Sequence, residues 1–139
     1  MVRSIDFFNE RKLRKIAPDL NKSRQSLKIA ESKLAEAKEL LRAEFYSQAM
    51  LSAYTSMFHS ARAILYKEGI QEKSHYAVYI YLKENYSNLL SGELLESFLN
   101  HQNERKEILY GLDYNPNKNE AESSIEDAEL FFVEVTGIL

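Results

Sequence analysis

Apolar residues recur at alternating intervals of three and four along most of this chain, the spacing that places them on one face of an α-helix. No run shows the strict alternation of apolar and polar residues that is typical of a half-buried strand, so we predict an all-α protein. Three stripes are the clearest: Leu27, Ala30, Leu34, Ala37 and Leu41; Met50, Tyr54, Met57, Ala61 and Ile64; and Ile125, Ala128, Phe132, Val135 and Leu139.

Helix breakers and candidate caps divide the chain into segments. Neither Gly nor Pro lies between Asp19 and Glu68, and Gly69 is a suitable residue to end a helix. Four main helices with short connections predict an up-and-down bundle of four to five helices. We expect a single domain over residues 1–139, in which a short N-terminal helix and basic segment (1–20) precede the main bundle (21–139). The predicted helices cover residues 5–16, 21–43, 46–68, 75–87, about 92–111, and a last segment opened by the S-x-x-E capping box of Ser123–Glu126.

The composition is that of a soluble globular domain: 139 residues, 45% hydrophobic and 28% charged. The absence of Cys excludes disulfides, thiolate nucleophiles and Cys-ligated zinc. No stretch approaches the roughly 20 apolar residues of a membrane span, and the first residues lack the apolar run of a signal peptide, so we expect a cytoplasmic protein. The net charge of −3 argues against a general nucleic-acid coat protein.

Arg105 interrupts an apolar stripe in the predicted helix around residues 92–111. A guanidinium keeps its charge in a protein, and burying it unpaired costs far more than losing an apolar contact. Arg105 is therefore expected either to pair with a carboxylate, such as Glu104 or Asp113, or to face a polar groove where it meets a ligand. The stripe consists of Leu95, Phe98, Gln102, Arg105, Leu109 and Leu112.

Candidate partners of Arg105 lie in HQNERKEILYGLDY, residues 101–114. His101, four residues earlier, shares the helix face of Arg105, whereas Tyr110 lies about 140° around an ideal helix. An Arg beside a His or Tyr is a candidate phosphate-binding site. The Arg would bind the phosphate, and the His could transfer a proton. A second polar stripe crosses the otherwise apolar helix 46–68 and faces solvent, a groove or a subunit interface: Ser52, Thr55, His59 and Arg62.

Sequence motifs of zinc sites, serine hydrolases and phosphate-binding loops are absent from the chain. The three His residues do not have zinc-binding spacing such as H-E-x-x-H, no G-x-S-x-G is present, and the four Gly residues form no phosphate-binding loop. We therefore expect neither a metal nor a cofactor.

At residues 52–70, SAYTSMFHSARAILYKEGI, followed by KSHYAV at 73–78, the chain resembles the core of HEPN (higher eukaryotes and prokaryotes nucleotide-binding) domains. The likeness is greatest to the small single-domain bacterial and archaeal branch. The pattern continues with Arg105, followed by Asp113 and Tyr114, and with an acidic last helix. It covers residues 21–139.

The resemblance implies a bundle of four to five helices that is often a homodimer. Many HEPN proteins are metal-independent ribonuclease toxins, whose site is an Arg followed by four to six residues and then a His, contributed by both subunits. Others pair with a small nucleotidyltransferase in a toxin–antitoxin or related two-component system. In this chain Arg105 matches the motif Arg, but Tyr110 takes the place of the His, and no His follows His101.

Three functions are compatible with this pattern. Because Tyr is a poor general base at neutral pH, we prefer a dimeric binding module that engages a partner protein, a nucleotide or RNA through a groove around Arg105. The alternatives are a ribonuclease toxin that uses Arg105 with Tyr110 or His101, and a structural dimer without a ligand. No membrane contact is expected. The expected ligand or partner contacts are Gln102, Asp113, Tyr114, His59 and Arg62.

Overall fold

Four long helices make up most of the fold, which is a computed structural model that describes residues 1–139. The all-α class and the helical bundle are confirmed, and a two-stranded ribbon that the sequence patterns do not predict accompanies the six helices. None of the six helices combines the length and apolar character needed to cross a membrane. In chain order the elements are α1 (Ser4–Asn9), β1 (Leu13–Lys15), α2 (Leu20–Arg42), α3 (Tyr46–Glu68), β2 (Ile70–Glu72), α4 (His75–Asn85), α5 (Gly92–Tyr110) and α6 (Lys118–Ile138).

Helix α3 is the centre of the bundle and packs against α2, α4, α5 and α6. Small side chains allow α2 to approach closely, and two serines satisfy backbone carbonyls across the contact. Ser56 Oγ donates to the carbonyl of Ala30, and Ser23 Oγ donates to that of Ala63, both at 2.7 Å. A helix buried on nearly every face is therefore held by apolar packing together with hydrogen bonds between helices.

Local capping signals fix several helix ends as the sequence predicts. Ser74 and Ser91 accept hydrogen bonds from the backbone N–H groups of Ala77 and Leu94, which starts α4 and α5. Gly69 ends α3 in the left-handed region, with φ at 82°. A Cβ atom on Gly69 would lie 2.6 Å from the carbonyl oxygen of Ile16, so the close approach of this segment also requires glycine.

The all-helical prediction is wrong for the segment between α1 and α2. The predicted helix 5–16 ends at Asn9, and β1 pairs antiparallel with β2, with Leu13 opposite Glu72. Leu13 and Ile70 are buried in the same core cluster as Phe7. Strands of three residues are too short to show an alternating pattern, which is why periodicity did not reveal them.

The last helix begins earlier than the Ser123–Glu126 signature predicts. Asn117 caps α6 by accepting from the N–H of Glu120, and Glu120 in turn accepts from the N–H of Asn117. This capping box takes the place of the predicted one because the earlier start adds a turn that buries Ala121. Within α6, Phe131 rather than Phe132 occupies the fully buried aromatic position.

Candidate functional site around Arg105

Arg105 lies where α5 passes from the core to the surface. The predicted stripe is buried at Leu95, Phe98 and Gln102, but Leu112, beyond the end of α5, is 98% exposed. Leu109 is already 43% exposed, so the predicted burial of this end of the stripe is wrong. The residues keep the spacing of one face, but the C-terminal part of α5 extends beyond its neighbours and leaves Arg105 half-buried.

No carboxylate pairs with Arg105. Its guanidinium forms neither an ion pair nor a side-chain hydrogen bond within the chain. Glu104 contacts His101 instead, and Asp113 is exposed beyond the end of α5. The structural alternative of a paired Arg105 is therefore not realised, and the charge of this half-buried guanidinium remains available to a ligand.

His75, the first residue of α4, is held beside α5 by contacts on three sides. Its ring lies flat on Phe58, with centroids 4.0 Å apart and planes 3° from parallel. Its Nδ1 lies 2.7 Å from the hydroxyl of Tyr54, and its backbone carbonyl accepts from Nε2 of Gln102 at 3.0 Å. Since Gln102 is one helical turn before Arg105, this last contact fixes α4 next to the guanidinium.

The electrostatic environment of His75 is positive. Burial, followed by the charges of Arg105, Arg62 and Lys106, lowers the pKa of His75 to about 4. Burial also raises the pKa of Tyr54, against the opposing effect of Arg105. His75 is thus a neutral imidazole near three cationic side chains, surroundings that favour a bound anion. We call this set of residues the Arg105 site: Tyr54, Phe58, Arg62, His75, Gln102 and Arg105.

His101 points towards α6 and does not contact the other members of the Arg105 site. Its Nε2 lies 2.8 Å from Oδ2 of Asp127 and its Nδ1 lies 3.1 Å from Oε2 of Glu104. Burial alone lowers the pKa of His101, but the hydrogen bonds and charges of the two carboxylates outweigh it, so the pKa rises above its ordinary 6.5. These contacts make His101 a link between α5 and α6 rather than a neighbour of His75.

A polar cavity of about 860 Å³ lies beside His101, between α5 and α6, and it contains no hydrophobic lining residue. Its carboxylates give it a charge opposite to that of the Arg105 site, so an anion is drawn to the Arg105 site rather than to the cavity. No group of three or more His, Asp or Glu side chains is arranged to hold a metal ion. The acidic residues that line the cavity are Glu93, Glu96, Glu104, Glu120 and Asp127.

The other residues expected after Arg105 are not brought to it within the single chain. Tyr110 is 76% exposed at the end of α5, and Asp113 is exposed in the following loop. The hydroxyl of Tyr114 donates to Oε2 of Glu120 at 3.3 Å, which places it near α6. Burial, together with the charges of Glu104 and Glu120, raises the pKa of Tyr114 to about 12.

Two residues of the polar stripe of α3, Arg62 and His59, have different neighbours. Arg62 reaches β2, where its Nε lies 2.8 Å from Oε1 of Glu72, and its guanidinium also lies over the rings of Phe58 and Tyr66. His59 is half-buried, and burial, followed by the charges of Arg62 and Lys33, lowers its pKa. Arg62 therefore joins the Arg105 site, whereas His59 is influenced by Lys33 of α2.

Sequence reasoning missed His75, Tyr54 and Phe58 as members of the site. The sequence places Tyr54 in the core stripe, which its 3% exposure supports, but its hydroxyl has a separate polar role. The sequence does contain information that could have identified His75 as a site residue, because His75 lies in the KSHYAV segment on which the family resemblance rests. Its spatial relation to Arg105, thirty residues later, becomes evident only when α4 and α5 are packed together.

The family assignment follows from comparison with known proteins. The sequence profile of the HEPN domain matches residues 23–138, so this chain belongs to the HEPN family and the resemblance is confirmed. It is 31% identical over 122 residues to the protein named "Putative toxin MJ0605" of Methanocaldococcus jannaschii, with 81% of this chain and 86% of that protein covered. The fold is similar to that of TT1696 from Thermus thermophilus, with a TM-score of 0.73, 18% identity, and 86% of this chain and 99% of that chain covered.

Proposed function

We propose that this HEPN protein is a toxin-like component of a two-component system and that it binds the phosphate backbone of RNA at the Arg105 site. The observation that carries the proposal is the half-buried Arg105 without a carboxylate partner, beside a neutral imidazole and with Lys106 and the ion-paired Arg62 in the same surroundings. An unpaired guanidinium provides a fork of N–H donors that matches a phosphate. The relative named as a toxin supports the toxin-like role.

A homodimer is part of this proposal. Three apolar or aromatic side chains stand exposed at or just beyond the end of α5, close in sequence to Arg105: Leu109, Tyr110 and Leu112. Large exposed apolar groups of this kind are typical of contact surfaces between proteins. A second copy packed there would bring its own α5 end, including Tyr110, near the Arg105 site. A small nucleotidyltransferase is the protein partner that the family resemblance suggests.

Fluorescence anisotropy with a labelled single-stranded RNA tests the binding role. Arg105→Ala should weaken binding and reduce the slope of log K against log salt concentration by about 0.7, because one contact to a single-strand phosphate is lost. Lys28→Ala is the matched control, since Lys28 is an exposed, unpaired cation on α2. Equal losses in the two variants, or no RNA binding by the folded protein, would refute the Arg105 site as an RNA site.

Metal-free ribonuclease activity is the second candidate, because the resemblance to HEPN domains implies it for many members of this family and the chain belongs to that family. Cleavage assays on the same RNA in the presence of a chelator address it directly. Cleavage that disappears in Arg105→Ala, while circular dichroism shows that the variant keeps its helicity, would establish that the protein is a ribonuclease. The residue that transfers the proton in that reaction would then have to be identified.

A further inference from the structure

His75 offers a hydrogen-bond donor at the Arg105 site, and its tautomer decides what it can do there. The side chain of Tyr54 is almost fully buried, and its hydroxyl has Nδ1 of His75 as its single partner in the chain. A buried hydroxyl that does not donate its proton is costly, so Tyr54 donates to Nδ1. Nδ1 is then the acceptor nitrogen, and in a neutral imidazole the proton must reside on Nε2.

We infer that Tyr54 holds His75 in the Nε2–H tautomer and that His75 thereby acts with Arg105 as a fixed hydrogen-bond donor to an RNA phosphate, without serving as a general base. This inference rests on the proposed function of RNA binding. In it, His75 contacts the ligand and Tyr54 is a positioning residue.

The contacts of the ring support this role. Nε2 of His75 has no hydrogen-bond partner in the chain and is accessible to solvent, so it is free to donate to a ligand. The flat contact with Phe58 and the bond from Gln102 to the backbone of His75 restrict the ring's movement. A donor held in place loses little conformational entropy when it binds, which increases its contribution to affinity.

Burial, together with the surrounding charges, explains why His75 remains a neutral donor. Burial disfavours the imidazolium most, and the charges of Arg105, Arg62 and Lys106 act in the same direction, so the pKa of His75 is lowered to about 4. A neutral imidazole whose Nδ1 is occupied by Tyr54 has no free lone pair at Nε2 to accept the proton of a ribose hydroxyl. The geometry therefore favours binding over cleavage by His75.

The first test is the tautomer itself. Nitrogen-15 NMR of the imidazole side chains should report the Nε2–H form for His75 in the wild-type protein. Tyr54→Phe removes the hydroxyl at nearly constant shape, so the Nδ1–H form should become populated in that variant while circular dichroism stays unchanged. A wild-type His75 in the Nδ1–H form would overturn the inference, whatever the RNA affinity is.

The second test is RNA affinity, measured with the same labelled RNA. His75→Phe keeps an aromatic ring against Phe58 but removes the donor, and it should raise the Kd by about tenfold or more, the effect of one hydrogen bond to a charged group. His75→Gln can present an amide N–H and should recover part of the loss. Tyr76→Phe, at the neighbouring exposed tyrosine that packs against Phe7, is the matched control and should leave the Kd unchanged.

The outcomes separate this inference from the proposed function. RNA binding that depends on Arg105 but not on His75 would overturn the donor role and leave the function intact. Absence of Arg105-dependent binding would refute the function itself. Metal-free cleavage that requires His75 would also overturn the inference, because it would make His75 a proton-transfer group.

Discussion

The guanidinium of Arg62 lies against the carboxylate of Glu72, with Nε 2.8 Å from Oε1, whereas Arg105 nearby has no such partner. The side chain of Glu72 is 11% exposed, so this ion pair is largely withdrawn from water. The N–H of Arg62 does not point straight at the oxygen, which makes the contact primarily electrostatic. Two arginines close to the same histidine therefore differ in role: one anchors α3 to β2, and the other is available to a ligand.

This difference predicts opposite effects on stability. Arg62→Ala leaves the poorly hydrated Glu72 without a partner and should lower the free energy of unfolding by about 1–3 kcal/mol. Arg105→Ala removes no contact of this kind and should change it by less than about 0.5 kcal/mol. Urea denaturation followed by circular dichroism measures both values. A large destabilisation by Arg105→Ala would contradict the assignment of Arg105 to ligand binding.

The link between His101 and its two carboxylates predicts a pH-dependent contribution to stability. The pKa of His101 is raised in the folded protein, so the stabilisation is fully present below the unfolded value of 6.5 and is lost as the pH rises through the raised pKa. His101→Gln should therefore destabilise the protein more near ~pH 6 than near ~pH 9. Urea denaturation of both proteins at each pH measures the difference, and a loss that is independent of pH would argue against a charged His101.

The glycine that ends α3 predicts a contrast between two identical substitutions. Gly69→Ala places a Cβ in the left-handed region and 2.6 Å from a backbone oxygen, so it should cost about 2 kcal/mol or more. Gly137→Ala, in the last turn of α6, meets no atom within 4 Å and should be neutral or stabilise by up to ~0.5 kcal/mol. Thermal unfolding compares the two, and similar melting temperatures would show that the segment after α3 relaxes easily.

The exposed end of α5 predicts where a homodimer forms. Leu112→Glu places a charge on a residue that is 98% exposed in the single chain, so it should leave the fold intact but shift a dimer towards monomer. Leu89→Glu, at an exposed leucine between α4 and α5, is the control and should not change the association. Light scattering after size-exclusion chromatography gives the masses. A wild-type monomer, or a dimer that is insensitive to Leu112→Glu, would place the interface elsewhere or remove it.

Local sequence patterns were sufficient to establish the helical class and several helix ends. Helix α3 covers residues 46–68 as predicted, because a continuous helical pattern and a C-terminal glycine are local features. The HEPN assignment was also available from the order of its segments. Local patterns failed for the β1–β2 ribbon, because its short strands are stabilised by pairing across more than fifty residues of chain.

The composition of the Arg105 site, by contrast, depends on how the helices pack in three dimensions. Periodicity predicts that Arg105 lies on the same helix face as the buried Phe98, but it cannot tell which neighbour lies opposite or where that neighbour ends. The packing of α4 against α5 placed His75 beside Arg105 and turned His101 towards the acidic side of the helix. The physical reason is that helix formation depends on contacts within a few residues, whereas a binding site depends on side chains that come from separate helices, and their relative positions are set by the packing of the whole core.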